Sequence, residues 1–160
     1  MKGFLSALDR GLGIVCTASL VLVLPVSFLL FAQWPLRDWI QAYSREANDF
    51  AQCLFALYVS VAILYATRTR GHLAADALAR GYSRKTRDRL NRVSSLVVLV
   101  PWSIFLLYTS APMVWQSLSQ IERFPETYNP GYFIIKLAVG LFGLLVLLQA
   151  VLDLTHSTQD

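Results

Sequence analysis

Four long stretches of the chain are almost free of charge, and they constrain its fold more than any other feature. Residues 11–36, 50–67 and 93–121 contain no Asp, Glu, Lys or Arg, and residues 128–152 contain only Lys136. A bilayer core takes roughly 20 apolar residues to cross as a helix, and inside lipid a helix satisfies its backbone N–H and C=O groups within its own segment. The sequence therefore predicts an all-α membrane protein, one domain over residues 1–160, with four transmembrane helices. The approximate spans, numbered 1 to 4 in chain order, are 11–33, 49–67, 93–115 and 131–152.

The distribution of positive charge predicts how these spans are oriented. Of the 14 Lys and Arg residues, eight lie between Arg68 and Arg92, in the connection between spans 2 and 3. Short loops rich in Lys and Arg remain cytoplasmic. We therefore expect this loop and both termini in the cytoplasm, and the other two loops outside. Within the loop, Arg84, Lys85 and Arg87 are expected to contact anionic lipid or a partner, and the net charge of +4 is not interpreted as nucleic-acid binding.

An amphipathic segment follows span 1. Leu36, Trp39, Ile40 and Tyr43 recur with helical spacing on one face, and Pro35 suits the first turn of a helix. This pattern predicts a short interfacial helix over residues 36–43, lying flat in the outer headgroup layer. A plain loop carrying the aromatic residues of the membrane interface remains the alternative. In either case Trp34 and Trp39 are expected to contact lipid or a partner.

The basic loop contains a second amphipathic segment. Residues 71–80 carry an apolar stripe, which predicts another short interfacial helix that stops at Gly81. Ser83 is a suitable N-cap for the next helix, and no breaker separates it from span 3. We therefore expect the helix of span 3 to begin near Ser83 and to project into the cytoplasm.

Prolines and cysteines add two further expectations. Pro25 in span 1 and the prolines of span 3, Pro101 and Pro112, each remove a backbone donor, so both spans should bend. Cys16 and Cys53 lie near opposite membrane faces, at depths that differ by roughly 20 Å by helix rise. They are expected to remain unbonded.

Residues that carry chemistry are scarce. Both histidines, His72 and His156, lie outside the spans and cannot face each other across the bundle as haem ligands, and no cluster has metal-ligand spacing. Apart from Asp49, the first residue of span 2, the only charged residue inside a predicted span is Lys136, about five residues or roughly 8 Å from the outer face. At that depth it is expected to snorkel to the headgroups or to pair with a neighbouring subunit rather than to couple transport. We expect neither a cofactor nor an enzymatic site.

One segment resembles a known family. Span 2 opens with Arg-Glu-Ala-Asn-Asp-Phe-Ala-Gln at residues 45–52 and is followed by Gly-His-Leu-Ala-Ala-Asp-Ala-Leu at residues 71–78. A Gly-His-hydrophobic-x-x-Asp-x-Leu element after span 2, with a basic stretch leading into span 3, resembles the small Q-type membrane subunit of tripartite ATP-independent periplasmic (TRAP) transporters. The residues that carry this resemblance are Asn48, Asp49, Gly71, His72 and Asp76.

The resemblance implies a role that composition does not. Such a subunit is a scaffold in the bacterial inner membrane, and it works with a large permease subunit and a periplasmic solute-binding protein in sodium-coupled uptake of an organic acid. Two other functions remain open from the residues alone. A self-contained small transporter would need a membrane-embedded carboxylate, and a four-helix membrane enzyme would need polar groups converging in a pocket.

Overall fold

The computed structural model describes residues 2–40, 44–68 and 81–156 of the chain, and these residues form six α-helices and one π-helical turn. The helices are α1 (Lys2–Val21), α2 (Val23–Trp39), α3 (Arg45–Arg68), α4 (Arg84–Ser94), α5 (Val100–Ser119) and α6 (Tyr132–His156), with the π turn at Ser95–Leu99 between α4 and α5. Span 1 consists of α1 and α2, span 2 is α3, span 3 is α4, the π turn and α5, and span 4 is α6. Four segments are long and apolar enough to cross a membrane, which confirms the all-α, four-span prediction: Gly3–Pro35, Arg45–Ala66, Arg92–Ser119 and Tyr132–Thr155. The predicted interfacial helix at 71–80 lies outside the described residues.

Span 1 is interrupted where its proline predicts. Pro25 has no N–H to donate to the carbonyl of Val21, and its ring crowds that carbonyl. The structure accordingly ends α1 at Val21 and starts α2 at Val23. Leu22 lies between them in an α-like conformation, and its N–H donates to the Ser19 carbonyl at 3.0 Å. The two helices therefore form one span that is interrupted at a single residue.

The segment after span 1 differs from the prediction. A separate interfacial helix is predicted over residues 36–43, but α2 continues through Pro35 to Trp39 without a break. The proline is accommodated because it lies in the last two turns of the helix, where the loss of one hydrogen bond and a small bend disturb little of the structure. Residues 41–43, the rest of the predicted flat helix, lie outside the described residues.

Span 3 begins before the apolar stretch, as predicted. The Ser83 hydroxyl accepts the N–H of Thr86 at 3.3 Å and so caps α4. The helix widens into the π turn over Ser95–Leu99 and returns to α geometry at Val100. Pro101 accounts for the widening, because it cannot donate to the Val97 carbonyl one turn earlier and its ring would collide with that group.

The four spans pack in an open arrangement rather than a closed bundle. Span 4 lies centrally, with span 2 on one side and span 3 on the other, and span 1 packs mainly on span 2. Within an apolar 18-residue stretch of each span, the share of buried residues is 33% in span 2 and 28% in span 4, against 17% in spans 1 and 3. Spans 1 and 3 are therefore edge helices that leave most of their apolar surface uncovered.

A cluster of buried apolar side chains lies where α1 rests on α3 and α6. It consists of Leu12, Cys16, Val61, Leu64, Leu145 and Leu152. In lipid there is no hydrophobic attraction between helices, so close van der Waals contact in such clusters supplies the stabilisation. Cys16 belongs to this cluster, whereas Cys53 lies at the other end of α3, and both are free, as predicted.

Small residues form the contact between α5 and α6. Ser103, Ser110 and Ser117 recur every seven residues and are nearly inaccessible, so this face of α5 packs tightly on α6. On α6, Gly143 receives the Leu107 side chain so closely that an added Cβ would lie 3.1 Å from it. At Gly140 the nearest atom to such a Cβ would be a Val114 methyl group at 3.7 Å, an ordinary contact.

These two glycines allow a matched test of the interface. We expect Gly143→Ala to be less stable than Gly140→Ala by about 1 kcal/mol, because only the methyl group at 143 pushes the helices apart. Both substitutions improve helix propensity equally, so that contribution cancels. The free energy of unfolding in bicelles measures the difference. Equal stability of the two variants would contradict the close approach at Gly143.

Candidate functional site

Polar side chains of the described residues gather at the two ends of the helix array. One group lies beside the loop between spans 3 and 4 and is called the loop-end cluster: Asp49, Ser117, Glu122, Thr127 and Lys136. The other lies at the end that carries the chain termini and is called the tail-end cluster: Asp9, Arg68, Ser95, Gln149 and Asp153.

Asp49 ties the loop between spans 3 and 4 to span 2. Its carboxylate lies in the second turn of α3, is 9% exposed and accepts a short hydrogen bond from the Thr127 hydroxyl. The Thr127 oxygen in turn accepts the N–H of Asn129 at 3.4 Å. Nearby, the Cys53 thiol donates to the Gly131 carbonyl at 3.6 Å. Two side chains of α3 therefore hold the loop just before span 4.

Lys136 has a partner within the chain. Its ammonium lies 2.5 Å from Oε2 of Glu122, and the same oxygen accepts the Ser117 hydroxyl at 2.5 Å. The Tyr132 ring, 5.3 Å from the ammonium, adds a cation–π contact. The pairing arises because the loop folds back and brings Glu122 over the first turns of α6. The expected contact of Lys136 with lipid or a neighbouring subunit stays a prediction. The hydrogen bond from Lys136, with that from Ser117, lowers the pKa of Glu122 below its ordinary value.

The loop between spans 3 and 4 has a well-defined backbone. The Glu122 N–H donates to the Ser117 carbonyl at 3.0 Å while Ile121 adopts a positive φ of 45°, which is the usual way to end a helix but rarely with a β-branched residue. Phe124 is 5% exposed and meets the Tyr132 ring edge-on. The buried ring and the ion pair together fix the loop against span 4.

Arg68 is the centre of the tail-end cluster. It ends α3, and its guanidinium donates to the Asp9 carboxylate at 2.6 Å and to Oε1 of Gln149 at 2.8 Å. The side chain is 20% exposed and that of Asp9 is 43% exposed, so the pair lies partly within the protein. One arginine therefore joins α1, α3 and α6.

The tail-end cluster continues to span 3. The Gln149 amide donates to Oδ1 of Asp153 at 2.8 Å, and the Ser95 hydroxyl lies 3.5 Å from Oδ2 of the same carboxylate. Ser95 is 3% exposed and begins the π turn. Through Arg68, Gln149 and Asp153 all four spans share one hydrogen-bonded cluster.

Two of the residues singled out by the family resemblance lie in the described part of the chain. Asn48 is half-buried in the first turn of α3, where its backbone N–H donates to the Ser44 carbonyl at 3.3 Å, and Asp49 holds Thr127. Gly71, His72 and Asp76 lie outside the described residues. Their roles stay predictions.

The residues expected to contact lipid or a partner occupy both ends of the array. Trp34 and Trp39 are 53% and 77% exposed, and their rings lie 6.2 Å apart at the end of α2. Arg84, Lys85 and Arg87 lie in the first turns of α4, and the Lys85 side chain is exposed. An exposed tryptophan pair at one end and a basic helix at the other agree with a membrane-spanning orientation, although neither identifies a ligand.

The tail-end cluster was not predicted. Arg68 was counted among the cations of the basic loop, and Asp9 lies 59 positions away from it in the chain. A usable signal existed, since Asp9 lies just before the first apolar stretch, and Arg68 and Asp153 directly follow the second and the fourth. The predicted topology therefore places one cation and two carboxylates at the same side of the membrane. The seven-residue spacing of the serines in α5 was also visible in the sequence and was missed.

The geometry of the two clusters favours assembly over chemistry. Within the described ranges no group of three His, Cys, Asp or Glu side chains is placed to hold a metal ion. Each carboxylate of the two clusters already accepts a hydrogen bond from this chain. The clusters therefore hold helices and a loop in place.

The Glu122–Lys136 pair predicts a pH-dependent contribution to stability. The pKa of Glu122 is lowered in the folded chain, so the unfolded state, with a value of about 4.3, takes up its proton first as pH falls. The stabilisation is therefore complete well above that value and is lost as pH falls through the folded pKa. We expect the Glu122→Gln variant to have a lower melting temperature than wild type at pH 7. This difference in melting temperature should disappear below about pH 4. Glu126→Gln, which removes the same charge from an exposed position of the same loop, is the control. A gap that persists unchanged in acid would exclude the ion pair as its cause.

The Arg68–Asp9 pair can be tested by a double-mutant cycle. We expect Arg68→Gln and Asp9→Asn each to destabilise the chain, with a coupling energy of about 0.5 to 1 kcal/mol, the range of partly exposed pairs. Chemical unfolding in bicelles measures all four proteins. A control cycle combines Asp9→Asn with Arg10→Gln in place of Arg68→Gln. Arg10 follows Asp9 in the sequence and is exposed, and this control pair should show no coupling. Additive effects of the first pair would contradict the ion pair.

Comparison with known proteins gives one result. The family of tripartite ATP-independent periplasmic transporters, DctQ component, matches residues 26–160, which include α3 to α6 and most of α2. No curated protein and no solved structure matches the chain. The family is an inner-membrane transporter component and not a class of enzyme, in agreement with the four spans and with the predicted absence of an active site. The match extends over most of the chain, and the protein therefore belongs to the DctQ family of small TRAP transporter subunits.

Proposed function

We propose that this chain is the scaffold subunit of a sodium-coupled TRAP transporter that takes up an organic acid. In this proposal it works beside a large permease subunit, which moves the solute, and a periplasmic solute-binding protein, which delivers it. The observation that carries the proposal is the family match over residues 26–160 of a chain whose apolar spans contain no carboxylate at mid-membrane.

The placement of the charged groups supports an accessory role. An ion-coupled carrier normally keeps an ionisable group deep in the membrane, where it can exchange its ion. In this chain Asp9, Asp49, Glu122 and Asp153 lie at the ends of the spans, and each is engaged with other residues of the same chain. This arrangement disfavours a self-contained small transporter, the other function left open by the residues.

The orientation is part of the same proposal. The cations of α4 and the residues just before it favour a cytoplasmic location for the tail end of the array, and the loop-end cluster then faces the periplasm. In that orientation the loop between spans 3 and 4 lies on the side from which a periplasmic binding protein approaches.

Reconstitution in liposomes tests the proposal. The purified chain, the permease with the binding protein, and the complete assembly are reconstituted separately, and uptake of radiolabelled organic acids is followed under an inward sodium gradient. We expect uptake only by the complete assembly, because the solute pathway and the ion site belong to the permease while this chain stabilises it in the membrane. Collapse of the sodium gradient should abolish that uptake.

The incomplete assemblies supply the controls. Uptake by the isolated chain would contradict the accessory role. Equal uptake with and without this chain would show that the permease needs no such subunit. Uptake by the complete assembly that is unaffected by sodium would retain the scaffold role and refute sodium coupling.

A further inference from the structure

Tyr108 presents a polar group to the membrane interior. It lies in the middle of span 3 and is 80% exposed, more than any other large apolar or aromatic side chain that the structure describes. Among the described residues, none is hydrogen-bonded to its hydroxyl group. The neighbouring Thr109 differs, since its hydroxyl donates to the carbonyls of Phe105 and Leu106 in its own helix.

The depth of Tyr108 excludes the membrane interface as the source of a partner. Trp115, seven residues nearer the end of α5, is 75% exposed and lies where interfacial aromatic residues are usual. By helix rise, Tyr108 is about 10 Å deeper than Trp115 and about 24 Å from Arg92 at the other end of the span. At that depth a purely lipid surrounding would give its hydroxyl only acyl chains, which offer no hydrogen bond.

Pro112 leaves a second polar group, the backbone carbonyl of Tyr108, without its usual helical partner. Because it lacks an N–H, it cannot donate to the carbonyl of Tyr108 one turn earlier, and a freed carbonyl in a transmembrane helix is usually satisfied by a neighbouring helix. Phe105, Tyr108, Pro112 and Trp115 share one face of α5 by their spacing. This outer face is opposite the serines that pack on α6.

We propose that the outer face of α5 packs against a transmembrane helix of the permease subunit, which supplies hydrogen-bonding groups to the Tyr108 hydroxyl and carbonyl at mid-membrane. Lipid alone would leave these groups unsatisfied, at a cost that a protein neighbour removes. Span 3 is an edge helix with one packed face, so the opposite face is open to such a neighbour along the whole span. The assignment rests on the proposed function, because it takes the membrane partner of this chain to be the permease.

Photo-cross-linking from two exposed phenylalanines tests the assignment. The photoreactive residue p-benzoylphenylalanine replaces Phe105 on α5 or Phe28 on α2, which are 65% and 70% exposed and lie on opposite edges of the array. Both are large, exposed aromatic residues, so neither replacement disturbs the core. In cells that express the complete transporter, we expect irradiation to join position 105 to the permease and position 28 to lipid.

The outcomes separate this inference from the proposed function. A permease cross-link from position 28 and none from 105 would overturn the inference and leave the proposed function standing. A cross-link from 105 to a second copy of this chain, or to lipid only, would overturn it as well. If the permease neither co-purifies with the chain nor cross-links from either position, the proposed function fails too.

A conservative variant tests the hydrogen bond itself. Tyr108→Phe removes only the hydroxyl, and we expect the apparent affinity of the chain for the permease in bicelles to fall about threefold, the usual effect of one interhelical hydrogen bond in a membrane. The isolated variant should unfold like wild type, since the hydroxyl has no partner among the described residues of its own chain. An unchanged affinity would refute the role of the hydroxyl, and a less stable isolated chain would assign it to the fold instead.

Discussion

The guanidinium group of Arg68 organises the part of the structure in which all four spans meet. It joins α1 to α3 through Asp9 and α3 to α6 through Gln149, and Asp153 extends the same cluster to the π turn of span 3. In lipid, helices have no hydrophobic reason to prefer one neighbour over another, so directional hydrogen bonds contribute a large part of the specificity. A cluster that contacts every span at one level sets which helices are neighbours.

The opposite end of the array is fixed by different means. The loop between spans 3 and 4 is held to α3 by Asp49 and to α6 by the Glu122–Lys136 pair, with Phe124 buried beneath it. Between the two polar ends, the serines of α5 and the glycines of α6 allow close approach over several turns. The contact between α5 and α6 is therefore well defined along its length, while the outer faces of spans 1 and 3 remain uncovered. Such a distribution suits a subunit whose fold is completed by a neighbour.

Much of this architecture follows from the sequence because it depends on local rules. Charge-free stretches locate the spans, Ser83 marks the start of α4, and Pro25 marks the break in span 1. The missed features are contacts between residues distant in the chain. The sequence does not predict the pairing of Lys136 with Glu122, because it depends on the loop folding back over α6. Nor does it distinguish Arg68 from the other cations of the loop, because its partner Asp9 lies far away in the chain. The prediction of a separate interfacial helix after Pro35 was wrong because α2 continues to Trp39. Amphipathic spacing alone does not decide whether a segment forms a separate helix or continues a span.

The chain folds as an open array, and we propose that a larger membrane partner, the permease, completes it. A ligand that binds only the folded state adds to its stability as RT ln(1 + [L]/Kd), about 2.7 kcal/mol at a hundredfold excess over Kd. The most direct measurement is the free energy of unfolding of this chain in bicelles at increasing permease concentration, with an unrelated multispan protein as control. The account predicts that the free energy rises with the logarithm of permease concentration once Kd is exceeded, and not with the control protein. A free energy of unfolding that stays constant over the same range would contradict it.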